Sequence, residues 1–212
     1  MIVEFVGESG CGKSTLAELV ASCVDNGRRR KGLSTADNIK ALLHVLWHKT
    51  TRCTFCSIVK LSLSVNGLTR IIKNSLYLAG LVSTLLESRK DGKIWIFDQG
   101  PLQFLLSVFF YSVMDRADVV EQVRKIVAKD YLVIACHCDY ETLRSRIDNR
   151  KKGGRLHRIE NASKSIIELH TANLEQILSC IPNEQLIRID TSNDLTTNAE
   201  IICSFIHSRR IV

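Results

Sequence analysis

Apolar residues along this chain gather into four short, nearly unbroken runs at positions 2–6, 94–97, 131–136 and 186–189, each closed off by polar or turn residues. A run of that length without polar alternation marks a strand covered on both faces. Between the runs, apolar positions recur at three- and four-residue spacing, which predicts helices over 14–25, 36–48, 68–88, 116–128, 140–150, 159–179 and 198–209. Asn26 and Gly27 supply a stop signal for the first of them. Strands alternating with helices predict a three-layer α/β fold, a mainly parallel sheet with helices on both faces. Only two prolines, Pro101 and Pro182, interrupt the 212 residues, and no Ser/Gly tract or repeat appears, so a single domain over 1–212 is expected. The mostly helical stretch 36–89 reads as an insert that receives a substrate beside the sheet.

The first strand runs into Gly7-Glu8-Ser9-Gly10-Cys11-Gly12-Lys13-Ser14-Thr15, which fills every fixed position of the Walker A pattern, and a helix follows at once. Its glycines let backbone N–H groups from Gly7, Ser9, Gly10, Cys11 and Gly12 converge on phosphate oxygens. Lys13 brings a charge to the β and γ phosphates, Ser14 a hydroxyl for Mg²⁺ with Thr15 beside it, and the helix its positive end. ATP and Mg²⁺ are the cofactors this predicts. The same string occurs in ABC transporter ATPases, but a Leu-Ser-Gly-Gly-Gln-type signature and a closing acidic pair are missing, as is an Asn-Lys-x-Asp guanine motif.

Two further segments carry phosphoryl-transfer chemistry. The run at 94–97 ends in Asp98, followed by Gln99-Gly100-Pro101. In a P-loop fold the strand beside the phosphate loop delivers a carboxylate towards Mg²⁺ or the acceptor hydroxyl, which makes Asp98 the candidate; a turn-forming Asp is the plainer alternative. After the third run, Arg146 and Arg150 stand four apart on one helical face, and a basic loop with a glycine pair continues through Arg155 and Arg158. Arginines on a closing lid, here 144–158, neutralise charge on a migrating phosphoryl group while closure excludes water. A solvated basic face is the alternative.

Charge and cysteine usage refine this picture. Twenty-nine Lys and Arg against 22 Asp and Glu give a net charge of +7, which favours anionic partners such as nucleotides, phosphorylated metabolites or nucleic acid. A hydrophobic content of 45% excludes disorder as the main state. No apolar stretch reaches the roughly 18 residues that a spanning helix needs, and the chain opens on a strand, so a soluble cytoplasmic protein without a leader is expected. The eight cysteines are then expected to be free thiols. Cys53 and Cys56 have metal-knuckle or redox spacing, but Cys136 and Cys138 lack the spacing of a matching zinc pair, so buried thiols are the favoured reading. Cys11 sits beside a helix N-terminus, where a thiol is expected to be acidified and modified. Arg28-Arg29-Arg30-Lys31 reads as a solvated turn, with a phosphate or nucleic-acid contact as the alternative.

On the phosphate loop, the strand ending in Asp98, the basic lid, the His157-Arg158-Ile159-Glu160 element after it and the closing strand with Thr191-Ser192-Asn193, the chain resembles nucleoside and nucleotide P-loop kinases. Thymidylate kinases are the most similar. The resemblance implies an ATP- and Mg²⁺-dependent kinase acting on a nucleoside monophosphate or nucleoside, working as a homodimer. It places Thr191 against adenine, and Asp98, Gln99, Arg155 and Arg158 towards the acceptor, with Arg70 reaching an acceptor phosphate from the insert. Two departures stand out. Gln99 occupies the position where thymidylate kinases carry an arginine, and Glu8 and Ser9 replace an Asp in the loop. A sugar or another small metabolite therefore stays open as acceptor. Two other readings remain: a nucleotide-dependent binding module with weak ATPase activity, and a polynucleotide 5′-kinase. Nucleic acid is the less favoured partner, because the basic residues concentrate around the lid.

Overall fold

Five parallel strands carry the fold: β1 (Ile2–Gly7), β2 (Gly27–Arg29), β3 (Ile94–Phe97), β4 (Tyr131–His137) and β5 (Leu186–Asp190), in the spatial order β2-β3-β1-β4-β5. The structure, a computed structural model, describes residues 1–25, 27–29, 39–42, 76–85, 92–111, 116–127, 129–149 and 164–209. Six helices surround the sheet: α1 (Lys13–Cys23), α2 (Pro101–Tyr111), α3 (Arg116–Ile126), α4 (Tyr140–Asp148), α5 (Lys164–Leu178) and α6 (Leu195–Ser208). Residues 39–42 and 76–85 are helical as well.

Strand alternation divides the core into two layers. Val3 and Phe5 of β1, with Ile96 and Ile134, pack against Leu16 and Val20 of α1, Leu143 and Ile147 of α4, and Ile202 and Ile206 of α6. Ile2 and Val6 point to the other face, where Leu102, Leu105 and Leu106 of α2 meet Val119 and Val123 of α3 and Leu174 and Ile177 of α5. Helices on both faces of a parallel sheet make this the three-layer α/β fold expected from the apolar runs.

All four expected strands are present, and a fifth joins them. The run read as a basic turn overlaps β2 at Arg28 and Arg29, and β2 pairs with β3 through Gly27↔Ile94 and Arg29↔Ile96. Gly-Arg-Arg has no apolar side chain to announce a strand. Among the described residues β2 lies at the edge of the sheet, where charged side chains are tolerated. Its Arg29 is held by Asp98 at 2.9 Å and Glu18 of α1 at 3.3 Å. Within the run, Arg29 is thus an ion-paired strand residue and Arg28 an exposed one, while Arg30 and Lys31 lie outside the described residues.

Helix α2 was also hidden from the pattern. The residues from 101 to 111 are so uniformly apolar that no period emerges, and Pro101 begins the helix at a position where a missing N–H costs nothing. Helix α6 starts three residues earlier than periodicity predicts because the Asp194 carboxylate accepts from Thr197 N at 2.9 Å. Asp139 caps α4 in the same way, accepting from Thr142 N at 2.8 Å. Most of the expected insert and the lid beyond residue 149 fall outside the described residues, and with them Arg70, Arg150, Arg155, Arg158, Cys53 and Cys56. Among the described residues no helix is long and apolar enough to cross a membrane.

Ile134 is fully buried at the centre of β4. Ile134→Ala is expected to cost about 2–5 kcal/mol, read in urea unfolding as a lower midpoint with an unchanged slope.

Candidate functional site

A parallel sheet brings the carboxyl ends of its strands to one edge, and ligands settle where the strand order reverses. Here the reversal lies at β1, which has β3 on one side and β4 on the other. The phosphate loop leaves β1 at that point and enters α1. Gly10 and Gly12 hold φ values of 97° and 93°, a left-handed region that residues with a Cβ rarely adopt. Gly12 is the N-cap of α1. No side chain caps that helix, in contrast to α4 and α6, and its first turn contains no acid. The first-turn N–H groups and the positive helix end thus remain available to an anion. They face a cleft of about 740 Å³ lined on this side by Ser9, Gly10, Gly12, Lys13, Ser14 and Thr15.

Loop amides can converge on a ligand only if the loop carbonyls turn outward and find donors elsewhere. Three groups supply them. Lys13 Nζ donates to the Gly7 carbonyl at 2.9 Å and to that of Glu8 at 2.5 Å. The Thr191 hydroxyl donates to the Cys11 carbonyl at 2.6 Å and accepts from Arg146 Nη1 at 3.2 Å. Arg146 also reaches the Cys11 carbonyl at 3.3 Å and, through Nη2, that of Thr191 at 2.7 Å. Two more contacts brace the loop: Gly7 N donates to Gln103 Oε1 at 3.0 Å, and the Thr171 hydroxyl of α5 donates to the Glu8 carboxylate. Burial raises the Glu8 carboxyl above its ordinary value, while Thr171 and the Lys13 charge pull it back.

The cleft gathers Ser9, Gly10, Gly12, Lys13, Ser14, Thr15, Gln99, Arg146 and Thr191 of the residues expected from sequence. Gly7 and Cys11 belong to the loop without lining the cleft; the Cys11 thiol is buried, with Sγ 3.7 Å from Lys13 Nζ. Asp98 follows β3 as expected, but its carboxylate is bound to Arg29 and it is not among the lining residues. Burial pushes the Cys138 thiol up to about 11 and raises Cys136 further, so both are protonated at neutral pH.

The opposite wall was not found from sequence. Gln103, Phe104 and Ser107 of α2, with Gly100 and Tyr77, continue the cleft away from the phosphate loop. The Tyr77 hydroxyl donates to the Gln99 carbonyl at 3.0 Å, and its ring stands 5.9 Å from that of Phe104. One signal was available: Gln103 and Ser107 are polar residues four apart in an otherwise apolar segment, which places them on one helical face.

Glu4 was missed too. It is a fully buried carboxylate on the same strand face as Ile2 and Val6. It accepts from Leu102 N at 3.1 Å, from Gln103 N at 2.8 Å and from the Tyr131 hydroxyl. Burial pushes Glu4 up to about 7 against the downward pull of these bonds. Gly100 packs directly on it: a Cβ there would lie 2.5 Å from Glu4 Cδ.

No protein-family model matches the chain, and a search of curated proteins finds no match. Solved structures do. A deoxyadenosine kinase from M. mycoides with the products dCMP and a flexible dCDP aligns over 98% of this chain and 100% of its own, with a TM-score of 0.56 at 18% identity. The same enzyme with dATP gives 0.52 at 16% identity, and with dCTP 0.52 at 18%, over the same shares of both chains. At such identity the likeness shows a shared fold.

Removing the Thr191 hydroxyl leaves the Cys11 carbonyl to Arg146 alone. Thr191→Ala is expected to cost about 1–3 kcal/mol in chemical unfolding, and Thr191→Ser to restore most of it. Glu4 gives a pH signature. Its folded value lies above the ordinary 4.5, so the native state binds the proton more tightly, and the Glu4 contribution to stability is full below about 4.5 and lost as pH rises through about 7. Glu4→Gln should remove that downward slope; an identical pH profile in both proteins would refute the assignment.

Proposed function

We propose that this protein is a kinase that uses ATP and Mg²⁺ to phosphorylate a small-molecule acceptor, a nucleoside or nucleoside monophosphate. The observation that carries this reading is one continuous cleft. Its first wall is the phosphate loop with Lys13, Ser14 and Thr15; its second is the aromatic and polar shelf of Tyr77, Gln99, Gln103 and Phe104. A phosphotransferase needs room for two substrates and a site that organises negative charge, and one cleft with a phosphate loop on one side supports that reading. The fold shared with deoxyadenosine kinase supports the same class. Closeness to thymidylate kinase rests on the sequence resemblance alone.

In this reading the loop amides and Lys13 bind the β and γ phosphates. Ser14 and Asp98 would hold Mg²⁺, which when bound neutralises charge between the phosphates. The exposed Ser14 hydroxyl at the cleft fits that task. Asp98 is assigned to it as the carboxylate next to the cleft residue Gln99, and it would have to share or leave Arg29, 2.9 Å away, to reach the metal. Arg146 keeps the loop shaped and brings a cation to the cleft, and Thr191, bonded to the Cys11 carbonyl beside the loop, is assigned to adenine on the sequence resemblance. Arg70, Arg150, Arg155 and Arg158 are assigned to acceptor binding and to the lid on sequence grounds. A cytoplasmic homodimer completes the proposal.

The test is ADP release with ATP and Mg²⁺ across deoxynucleosides, nucleoside monophosphates, sugars and short oligonucleotides. One small-molecule class is expected to raise turnover at least about tenfold over the basal rate. A flat panel, with nucleotide binding confirmed by calorimetry, would overturn the kinase reading in favour of a nucleotide-gated binding module. Stimulation by oligonucleotides alone, with steep salt dependence, would indicate a polynucleotide kinase. Lys13→Ala should weaken nucleotide binding by about tenfold or more, whereas Asp98→Asn should lower kcat by on the order of a hundredfold and leave nucleotide affinity within about threefold.

A further inference from the structure

One side chain of the cleft is bonded to the start of the phosphate loop. Gln103 lines the acceptor side with Gln99, Gly100 and Phe104, yet its Oε1 accepts the Gly7 N–H at 3.0 Å, where β1 becomes the phosphate loop. The backbone carrying it is held independently. Gln103 N and Leu102 N both donate to Glu4, whose carboxylate is fully buried on β1 and also takes the Tyr131 hydroxyl from β4. Gly100 leaves room for that carboxylate, since any Cβ would strike it. The first turn of α2 is therefore fixed at two points, both on β1 or its loop, three residues apart.

We propose that Gln103 is a positioning residue that couples the phosphate loop to the acceptor wall, with Glu4 as the anchor that holds the helix in register. The coupling deepens the kinase reading and rests on it for its purpose, but its test needs the nucleotide alone. A shift of the loop on phosphate binding moves the Gly7 amide, the Gly7 amide pulls on Gln103, and Gln103 carries the wall formed by Gln99, Gly100 and Phe104. Burial of the anchor makes the link stiff, because a carboxylate in an apolar layer cannot exchange the donors that hold it for water. Acceptor binding acts on the loop by the same amount in reverse.

The experiment follows amide hydrogen exchange of Gly7, Leu102, Gln103 and Phe104 by NMR, with and without Mg·ADP, in the full chain. Wild type is expected to show slower exchange at the α2 amides on ADP addition. Gln103→Met keeps the length of the side chain and removes the acceptor oxygen. It should speed Gly7 exchange by about two- to tenfold, the worth of one hydrogen bond, and abolish the ADP response in α2 while ADP still binds. Glu4→Gln supplies one acceptor oxygen against three donors and should weaken the same response with Gln103 intact; Gln103→Met, partly exposed at the cleft, carries the test if that core change prevents folding. An α2 response of wild-type size in Gln103→Met overturns the coupling, as does no response in a wild type that binds ADP. A merely structural role predicts a lower Tm with the response preserved. Failure of the kinase reading looks different: ADP binds and the coupling is seen, but the acceptor panel is flat. No ADP binding by the wild type overturns both.

Discussion

The phosphate loop imposes the constraint on which the rest of this structure depends. Two of its amides are engaged within the protein, Gly7 N by Gln103 Oε1 at 3.0 Å and Cys11 N by the Glu8 carbonyl at 3.3 Å. Its carbonyls inside a packed fold need donors of their own. Those donors come from widely separated parts of the chain: Lys13 from the loop itself, Arg146 from α4 and Thr191 after β5. Each of these residues also lines the cleft. In the proposed reading shape and function are thus coupled, because the groups that hold the loop open stand on the cleft assigned to the nucleotide. Arg146 shows the consequence most clearly. Its guanidinium already makes three hydrogen bonds to protein atoms, so its first task is to fix the loop, and any charge it lends to a phosphate comes from a group that is already ordered.

The same economy explains the two layers. The face packed by α1, α4 and α6 is almost purely apolar, and it positions the loop by bulk: Leu143 and Ile147 lie where a Cβ on Gly10 would go. Among the described residues the other face admits one buried carboxylate, Glu4, at the cost of desolvating it. That cost is tolerated because two backbone amides at the start of α2 would otherwise lie buried without partners of their own, and an acid satisfies both at once. An apolar residue at position 4 would suit the layer better and leave the helix start unsupported.

How much of this was legible in the sequence follows from the same physics. The strands β1, β3, β4 and β5 announce themselves because both of their faces are covered, and the loop does so because its chemistry permits few substitutions. Strand β2 escaped because an edge strand of Gly27, Arg28 and Arg29 draws its stability from one neighbour and from ion pairs, and neither leaves an apolar trace. Helix α2 escaped for the opposite reason, being apolar on nearly every side. Asp98 was placed correctly at the end of β3, but its Arg29 partner depends on a strand that was not foreseen, 69 residues away. Gln103 and Glu4 were invisible as a pair because 99 residues separate them, and only the parallel register of β1 and β3, with Glu4 opposite Phe97, brings the start of α2 over that carboxylate.

The acceptor wall bears on what the proposed kinase would phosphorylate. Thymidylate kinases carry an arginine where this chain has Gln99, and such a cation suits an acceptor that already bears a phosphate. Arg29 arrives nearby from β2, but Glu18 and Asp98 both engage it, so it adds no unbalanced positive charge. Tyr77, Gln99, Gln103, Phe104 and Ser107 give this side of the cleft rings, amides and a hydroxyl. Groups of that kind match a base and a sugar better than a dianion, whose desolvation demands cations close by. On the described residues the balance therefore tilts from a nucleoside monophosphate towards a nucleoside. A monophosphate acceptor would have to draw its charge from Arg70 in the insert or from Arg150, Arg155 and Arg158 in the lid.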